Sequence, residues 1–151
     1  MEEKYEINTN TLAVIGLKPG GAKIIEYDTE KLLENNAYEV MDYSCNYFGS
    51  SYQGRVDGTK SILGYNYKVP IIIEESHELI FFPTTSPNLE DCSWFSLDSI
   101  SDIVEDDNKT IIVLKNGQKL ESEVSKASLE NQILRATRLK YVLNDRKEAK
   151  K

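Results

Sequence analysis

The chain has 151 residues, of which 40% are hydrophobic and 28% charged, and this predicts a single globular domain large enough to bury its own core. It has no apolar run near the roughly 20 residues that a membrane-spanning helix needs, and its first residues lack a signal-peptide pattern, so we expect a cytoplasmic protein without a membrane partner. Cys45, Cys92 and His77 show no metal-ligand spacing, and we predict no metal, no cofactor and no disulfide framework.

The formal net charge is −7, which by itself argues against a nucleic-acid-binding protein. The charge is uneven, however, because residues 135–151 contain seven basic side chains against Asp145 and Glu148. Such an end fits two interpretations equally well. It is either a solubilising helix end whose cations complement the helix dipole, or a functional basic patch on an otherwise acidic protein.

In chain order, the first part of the sequence predicts strands and turns with one short helix. The predicted elements are a strand over residues 5–16 with a hairpin through 8–10, a turn at 18–21, a strand at 22–27, one or two helical turns at 28–36 with Asp28 as N-cap, and a short strand at 38–43. Residues 42–59 follow, and their glycines, tyrosines and serines favour a hairpin with a tight turn.

The second part predicts an antiparallel arrangement that ends in a helix. The predicted elements are strands at 69–73 and 79–82 with Pro70 at a strand start or edge, a loop at 84–91, Trp94 as a core anchor, a short helix or irregular strand at 97–104, a turn at 106–108, and a hairpin of strands 110–115 and 118–124 around Asn116-Gly117. Ser125 then caps a helix to about Leu143.

That last helix has an apolar stripe through Leu129, Ile133, Ala136 and Leu143. At about 100° per residue, a second face, which we expect to be exposed, carries Asn131 and three arginines, Arg135, Arg138 and Arg146, which form a possible phosphate-binding ridge. We therefore predict one α+β domain over residues 1–143, mostly antiparallel β-sheet or a partly open barrel with a C-terminal α-helix, followed by a basic, frayed tail at 144–151.

Catalytic chemistry has little support in the sequence. His77 is the only histidine and stands in a charged turn, and the glycines of residues 49–58 form no phosphate-binding signature. We therefore predict no catalytic residues and no enzyme activity.

A pattern of motifs along the chain resembles one known family. Residues 42–59 read D-Y-S-C-N-Y-F-G-S-S-Y-Q-G-R-V-D-G-T, and K-V-P-I at 68–71, F-F-P-T at 81–84, C-S-W at 92–94, N-G at 116–117 and E-N-Q-x-x-R at 130–135 follow in order. This order of motifs is similar to that of the competence transcription factor family, the ComK proteins of Gram-positive bacteria. The resemblance covers most of the chain, from about Tyr5 to Arg138.

The resemblance implies a transcriptional regulator that binds A/T-rich duplex DNA, approaches it through the minor groove and assembles as a homo-oligomer. Arg55 between Gly54 and Gly58 suits insertion into the groove, or else pairs with Asp57 or Asp42 to fix the loop. Lys60 and Lys68 flank the same region, and Arg135, Arg138 and Arg146 would contact phosphates. These six residues are the predicted DNA-binding set.

The sequence also departs from the family pattern. Asn46 stands where the family usually has an arginine, and K-V-P-I replaces K-P-P-I. The chain ends at Lys151, so the adaptor-mediated proteolysis associated with longer family members is not carried over as an expectation. The acidic balance favours an alternative function, a protein-interaction module of the same fold that modulates a full-length regulator without binding DNA.

Overall fold

The computed structural model describes residues 4–150, so residues 1–3 of the predicted domain and Lys151 of the predicted tail lie outside the description. Its elements, in chain order, are β1 (Thr11–Gly16), β2 (Ala22–Glu26), β3 (Glu30–Leu33), α1 (Ala37–Tyr47), α2 (Tyr52–Leu63), β4 (Ile71–Glu74), β5 (Leu79–Pro83), β6 (Trp94–Ser96), β7 (Ile100–Asp106), β8 (Lys109–Leu114), β9 (Lys119–Ser122) and α3 (Lys126–Ala149).

The strands form two open antiparallel sheets. The larger has six strands in the order β3-β2-β1-β6-β5-β4, and the smaller has three in the order β7-β8-β9. The predicted α+β class with antiparallel sheets and a C-terminal helix is therefore confirmed, and the sheet does not close into a barrel.

Apart from its exposed edge strand β3, the six-stranded sheet is buried on both faces, because apolar residues stand at consecutive positions of its strands and point alternately to either side. In β5, Phe81 belongs to the core under α1 and α2, whereas Phe82 belongs to the core under α3 and the small sheet. Trp94 and Phe95 divide in the same way in β6. The central sheet thus fixes α1 and α2 on one side and α3 on the other.

The second half of the chain follows its sequence pattern closely. Trp94 is buried as predicted, Asn116-Gly117 joins β8 to β9, and Ser125 caps α3 by accepting a hydrogen bond from the backbone N–H of Ser128. Residues 97–104 contain both predicted forms, since a 3-10 turn at Leu97–Ser99 leads into β7.

Several predictions for the first half are wrong. Residues 28–36 contain strand β3 instead of a helix, because the chain there pairs antiparallel with β2. Residues 38–43 lie in α1, not in a strand, and residues 42–59 run through two helices instead of a tight hairpin.

The predicted end of the last helix is also wrong. The helix continues past Leu143 to Ala149, so most of the tail is helical, although its fraying stays a prediction.

Candidate nucleic-acid interface

The segment at residues 42–59 builds a helical hairpin. Asn36 and Glu39 form a reciprocal capping box at the start of α1, and the Ser51 hydroxyl caps α2 by accepting from the N–H of Gly54 at 2.9 Å. Between the helices Gly49 has a φ of +88°, a conformation in which a side chain would be strained. The glycine is thus needed for the turn between two helices.

The polar residues of this segment have structural partners. The Asp42 carboxylate accepts from the N–H of Tyr52 at 3.0 Å and so ties α1 to α2. The buried Ser44 hydroxyl accepts from the N–H of Ile7 at 3.0 Å. Cys45 is fully buried, and burial raises the pKa of its thiol to about 12, so this cysteine is not a nucleophile at neutral pH.

Two other sequence motifs meet where α3 crosses the loop before β4. The Gln132 side-chain amide donates to the carbonyl of Lys68 at 2.9 Å and to that of Pro83 at 2.7 Å. Arg135 donates through Nη1 to the carbonyl of Tyr67 at 3.0 Å. The E-N-Q-x-x-R motif therefore holds the K-V-P-I loop and the end of β5 in place.

The prediction that Arg135 lies on an exposed face is wrong. Its side chain is buried, and its guanidinium carbon lies 4.1 Å from the ring centroid of Tyr65 and 5.5 Å from that of Tyr67. The helical period placed Arg135 on one face with Arg138, but the loop before β4 folds over Arg135 and covers it. Arg135 is thus a support for the loop, not a free phosphate contact.

This loop, α2 and residues 86–88 enclose a cleft of about 300 Å³, which we call the lysine cleft. Its lining is Tyr38, Tyr52, Val56, Lys60, Tyr67, Lys68, Val69, Ser86, Pro87 and Asn88. Among the described residues, the lining includes two lysines and no acidic side chain, although the protein as a whole is acidic. Neither lysine forms an ion pair within residues 4–150, so both ammonium groups are available to an anion.

The aromatic residues of the lysine cleft are held from behind. Tyr38 packs edge-on against Tyr52 with ring centroids 5.0 Å apart, and Tyr52 packs in the same way on Trp94 at 5.8 Å. Burial raises the pKa of the Tyr52 hydroxyl, which stays protonated. Tyr38 and Tyr67 remain 46% and 67% exposed, so both present ring surface to solvent.

Arg55 does not stand in a flexible glycine loop, because Gly54 and Gly58 are helical residues of α2. Its side chain is 18% exposed, and its Nη1 lies 3.8 Å from Oε1 of Glu75 in the turn between β4 and β5. The alternative partners predicted for it, Asp57 and Asp42, bond instead to Gln53 and to the N–H of Tyr52. Arg55 therefore links α2 to the β4–β5 turn in this structure.

The predicted DNA-binding residues thus divide into four groups. Lys60 and Lys68 share the lysine cleft, Arg135 supports it, and Arg55 pairs with Glu75. Arg138 and Arg146 are exposed on α3 and form no ion pair within the described part of the chain.

Sequence reasoning missed Tyr38, Tyr67 and Gln132. The alternating Y-N-Y-K at residues 65–68 was a signal for exposed aromatics beside a cation, whereas the role of Gln132 depends on tertiary contacts alone.

Among residues 4–150 we find no cluster of three or more His, Cys, Asp or Glu side chains that could hold a metal. No helix in that range is long and apolar enough to cross a membrane.

Comparison with known proteins points to regulators of transcription. Residues 2–148 match the family model described as ComK protein. The chain is 33% identical over 148 residues to the competence transcription factor of Bacillus subtilis (strain 168), an alignment that covers 95% of this chain and 77% of the relative. No solved structure matches the chain significantly.

The chain therefore belongs to the ComK protein family, which confirms the resemblance seen in its motifs. This relationship supports the interpretation that the chain is a competence transcription regulator. The relative is a transcription factor and not an enzyme, in agreement with the expectation that this chain has no catalytic site.

Proposed function

We propose that this protein is a cytoplasmic DNA-binding regulator of the competence type, which binds A/T-rich duplex DNA through the minor groove as a homo-oligomer. The relationship to a competence transcription factor along 95% of the chain is the observation that carries the proposal. The lysine cleft supports it, because within residues 4–150 its two lysines form no ion pair and no carboxylate lines it, and free cations are what a phosphate backbone attracts.

In this proposal four cations contact phosphates: Lys60 and Lys68 in the lysine cleft, and Arg138 and Arg146 on α3. None of them has to break an ion pair within residues 4–150 to do so. Arg55 and Arg135 act indirectly, since each is largely buried and holds a neighbouring segment. A/T preference would come from the narrow minor groove of A/T-rich DNA, whose stronger negative potential favours these four cations along its phosphate edges.

The test is a binding titration with two duplexes of equal length, one A/T-rich and one G/C-rich, at several salt concentrations. We expect tighter binding to the A/T-rich duplex and an affinity that falls steeply as salt rises. Absence of binding to either duplex at low salt, with protein shown to be folded, would reject the proposal.

A second function is favoured by the edge of the small sheet. Strand β7 is an edge strand, and its exposed carboxylates, Asp102, Glu105 and Asp106, repel DNA but suit a basic protein partner. In this alternative the protein is an interaction module that modulates a full-length regulator. A mass measurement with and without DNA separates the two, because an oligomer that forms only with a protein partner and ignores DNA would favour the module.

A further inference from the structure

The lysine cleft is concave, and its size limits what can enter it. A volume of about 300 Å³ is at the lower end of the range for pockets that hold small molecules. A base pair inside a duplex cannot enter such a space, because its bases are stacked between neighbours. A single unstacked base with its sugar and phosphate has a suitable size.

The chemistry of the lining matches the two parts of a nucleotide. Tyr52, Val56 and Val69 are buried and provide an apolar floor, and Tyr38 and Tyr67 add exposed rings. Every base has a flat face that can stack on an aromatic ring. Lys60 and Lys68 belong to the same lining, and an ammonium group suits a phosphate, while the Asn88 amide can bond to a base edge.

The exposed rings are also fixed in place before any ligand arrives. The carbonyl of Tyr67 accepts from Arg135, whose guanidinium lies against the ring, and the next carbonyl, that of Lys68, accepts from Gln132. Tyr38 is backed by Tyr52 and Trp94. Ordering a surface side chain on binding costs conformational entropy, and side chains that are already held lose less of it.

We propose that the lysine cleft binds an unpaired nucleotide of single-stranded DNA, with the base stacked on Tyr67, the more exposed of the two rings, and the phosphate beside Lys60 and Lys68. This goes beyond duplex binding and does not require it. A free nucleotide has the same chemistry, but a strand continues past the cleft and can reach other cations. We therefore assign the site to a strand and include a free nucleotide in the test.

The test measures binding of a fluorescent oligothymidylate, which does not pair with itself, to the full chain. Tyr67→Ala is expected to weaken binding about tenfold, in the range for the loss of one stacked base, whereas Tyr67→Phe keeps the ring and the affinity. Tyr141→Ala is the matched control, because Tyr141 is also 67% exposed but lies on α3 outside the cleft lining. Each variant is also titrated with the A/T-rich duplex, and folding is checked by circular dichroism.

The proposal predicts that Tyr67→Ala weakens single-strand binding more than duplex binding, and that thymidine monophosphate competes only at far higher concentration than the oligonucleotide. It is overturned if the folded protein does not bind the oligonucleotide at low salt, or if Tyr67→Ala and Tyr141→Ala have the same effect. Equal losses for single strand and duplex, or a mononucleotide that binds as tightly as the strand, would also overturn it. Duplex binding can succeed or fail independently of these outcomes.

Discussion

At the scale of single residues, Arg135 shows how a predicted contact residue becomes a structural one. Its guanidinium donates a partly buried hydrogen bond to the Tyr67 carbonyl and contacts the rings of Tyr65 and Tyr67. A hydrogen bond from a charged donor contributes about 1.5–3 kcal/mol and a partly buried cation–π contact about 1 kcal/mol. Arg138, one turn later, is exposed without such contacts.

We therefore expect Arg135→Ala to lower the free energy of unfolding by about 2–3 kcal/mol, because the loop before β4 loses its support. Arg138→Ala is the control from the same helix and should change stability by less than about 0.5 kcal/mol. Urea denaturation of both variants measures the difference. Similar stabilities for the two variants would mean that Arg135 does not hold the loop.

The sequence shows that these residues are cationic, but it does not show which groups surround them in the fold. The helical period grouped Arg135 with Arg138, whereas the path of residues 64–70 across α3 covers Arg135 and leaves Arg138 exposed. For Arg55, the sequence suggests Asp57 or Asp42 as the acidic partner, whereas the actual partner, Glu75, lies in the turn after β4. Long-range pairs of this kind have no local sequence signal.

At the scale of elements, the main error of the sequence-based prediction concerns residues 42–59. They were expected to form a tight turn and instead run through the helical hairpin of α1 and α2. Its sequence is rich in Tyr, Ser and Gly, which are weak helix formers, so local propensity favoured a turn. The helices form because both are capped and because Val40, Met41 and Val56 are buried against the large sheet. Tertiary packing overrides propensity here. The β8–β9 hairpin was predictable because Asn-Gly specifies the turn locally.

Substitution by alanine should change the free energy of unfolding in opposite directions at Gly49 and Gly58 of the α1–α2 hairpin. A Cβ at Gly49 or at Gly58 would meet no atom within 4 Å, so backbone conformation decides the effect. Gly49 has a φ of +88°, and Gly49→Ala should lower the free energy of unfolding by about 1 kcal/mol. Gly58 lies inside α2, and Gly58→Ala should raise it by about 0.5–1 kcal/mol.

Thermal or urea denaturation of the two variants against the parent protein measures both effects. Stabilisation by Gly49→Ala would contradict the turn conformation between α1 and α2. Destabilisation by Gly58→Ala would contradict a regular helix at that position.

At the scale of the whole molecule, charge is the property that decides the function. A protein with a net charge of −7 repels DNA at long range, so binding has to rest on a local group of cations. The lysine cleft provides such a group, since its lining contains Lys60 and Lys68 and, within the part of the chain that the structure describes, no acidic residue. The sequence predicted both lysines but could not show that they share one cleft, because α2 and the loop before β4 meet only in the folded chain.

The most direct measurement is the salt dependence of binding to the A/T-rich duplex for a Lys60→Ala/Lys68→Ala variant. Its control is Lys115→Ala/Lys119→Ala, which removes the same charge from exposed positions on the small sheet. Loss of two phosphate contacts should make the slope of log affinity against log salt shallower by about 1.8, and the affinity lower, in the cleft variant alone. An unchanged slope in the cleft variant, or equal changes in both variants, would contradict DNA binding through the lysine cleft.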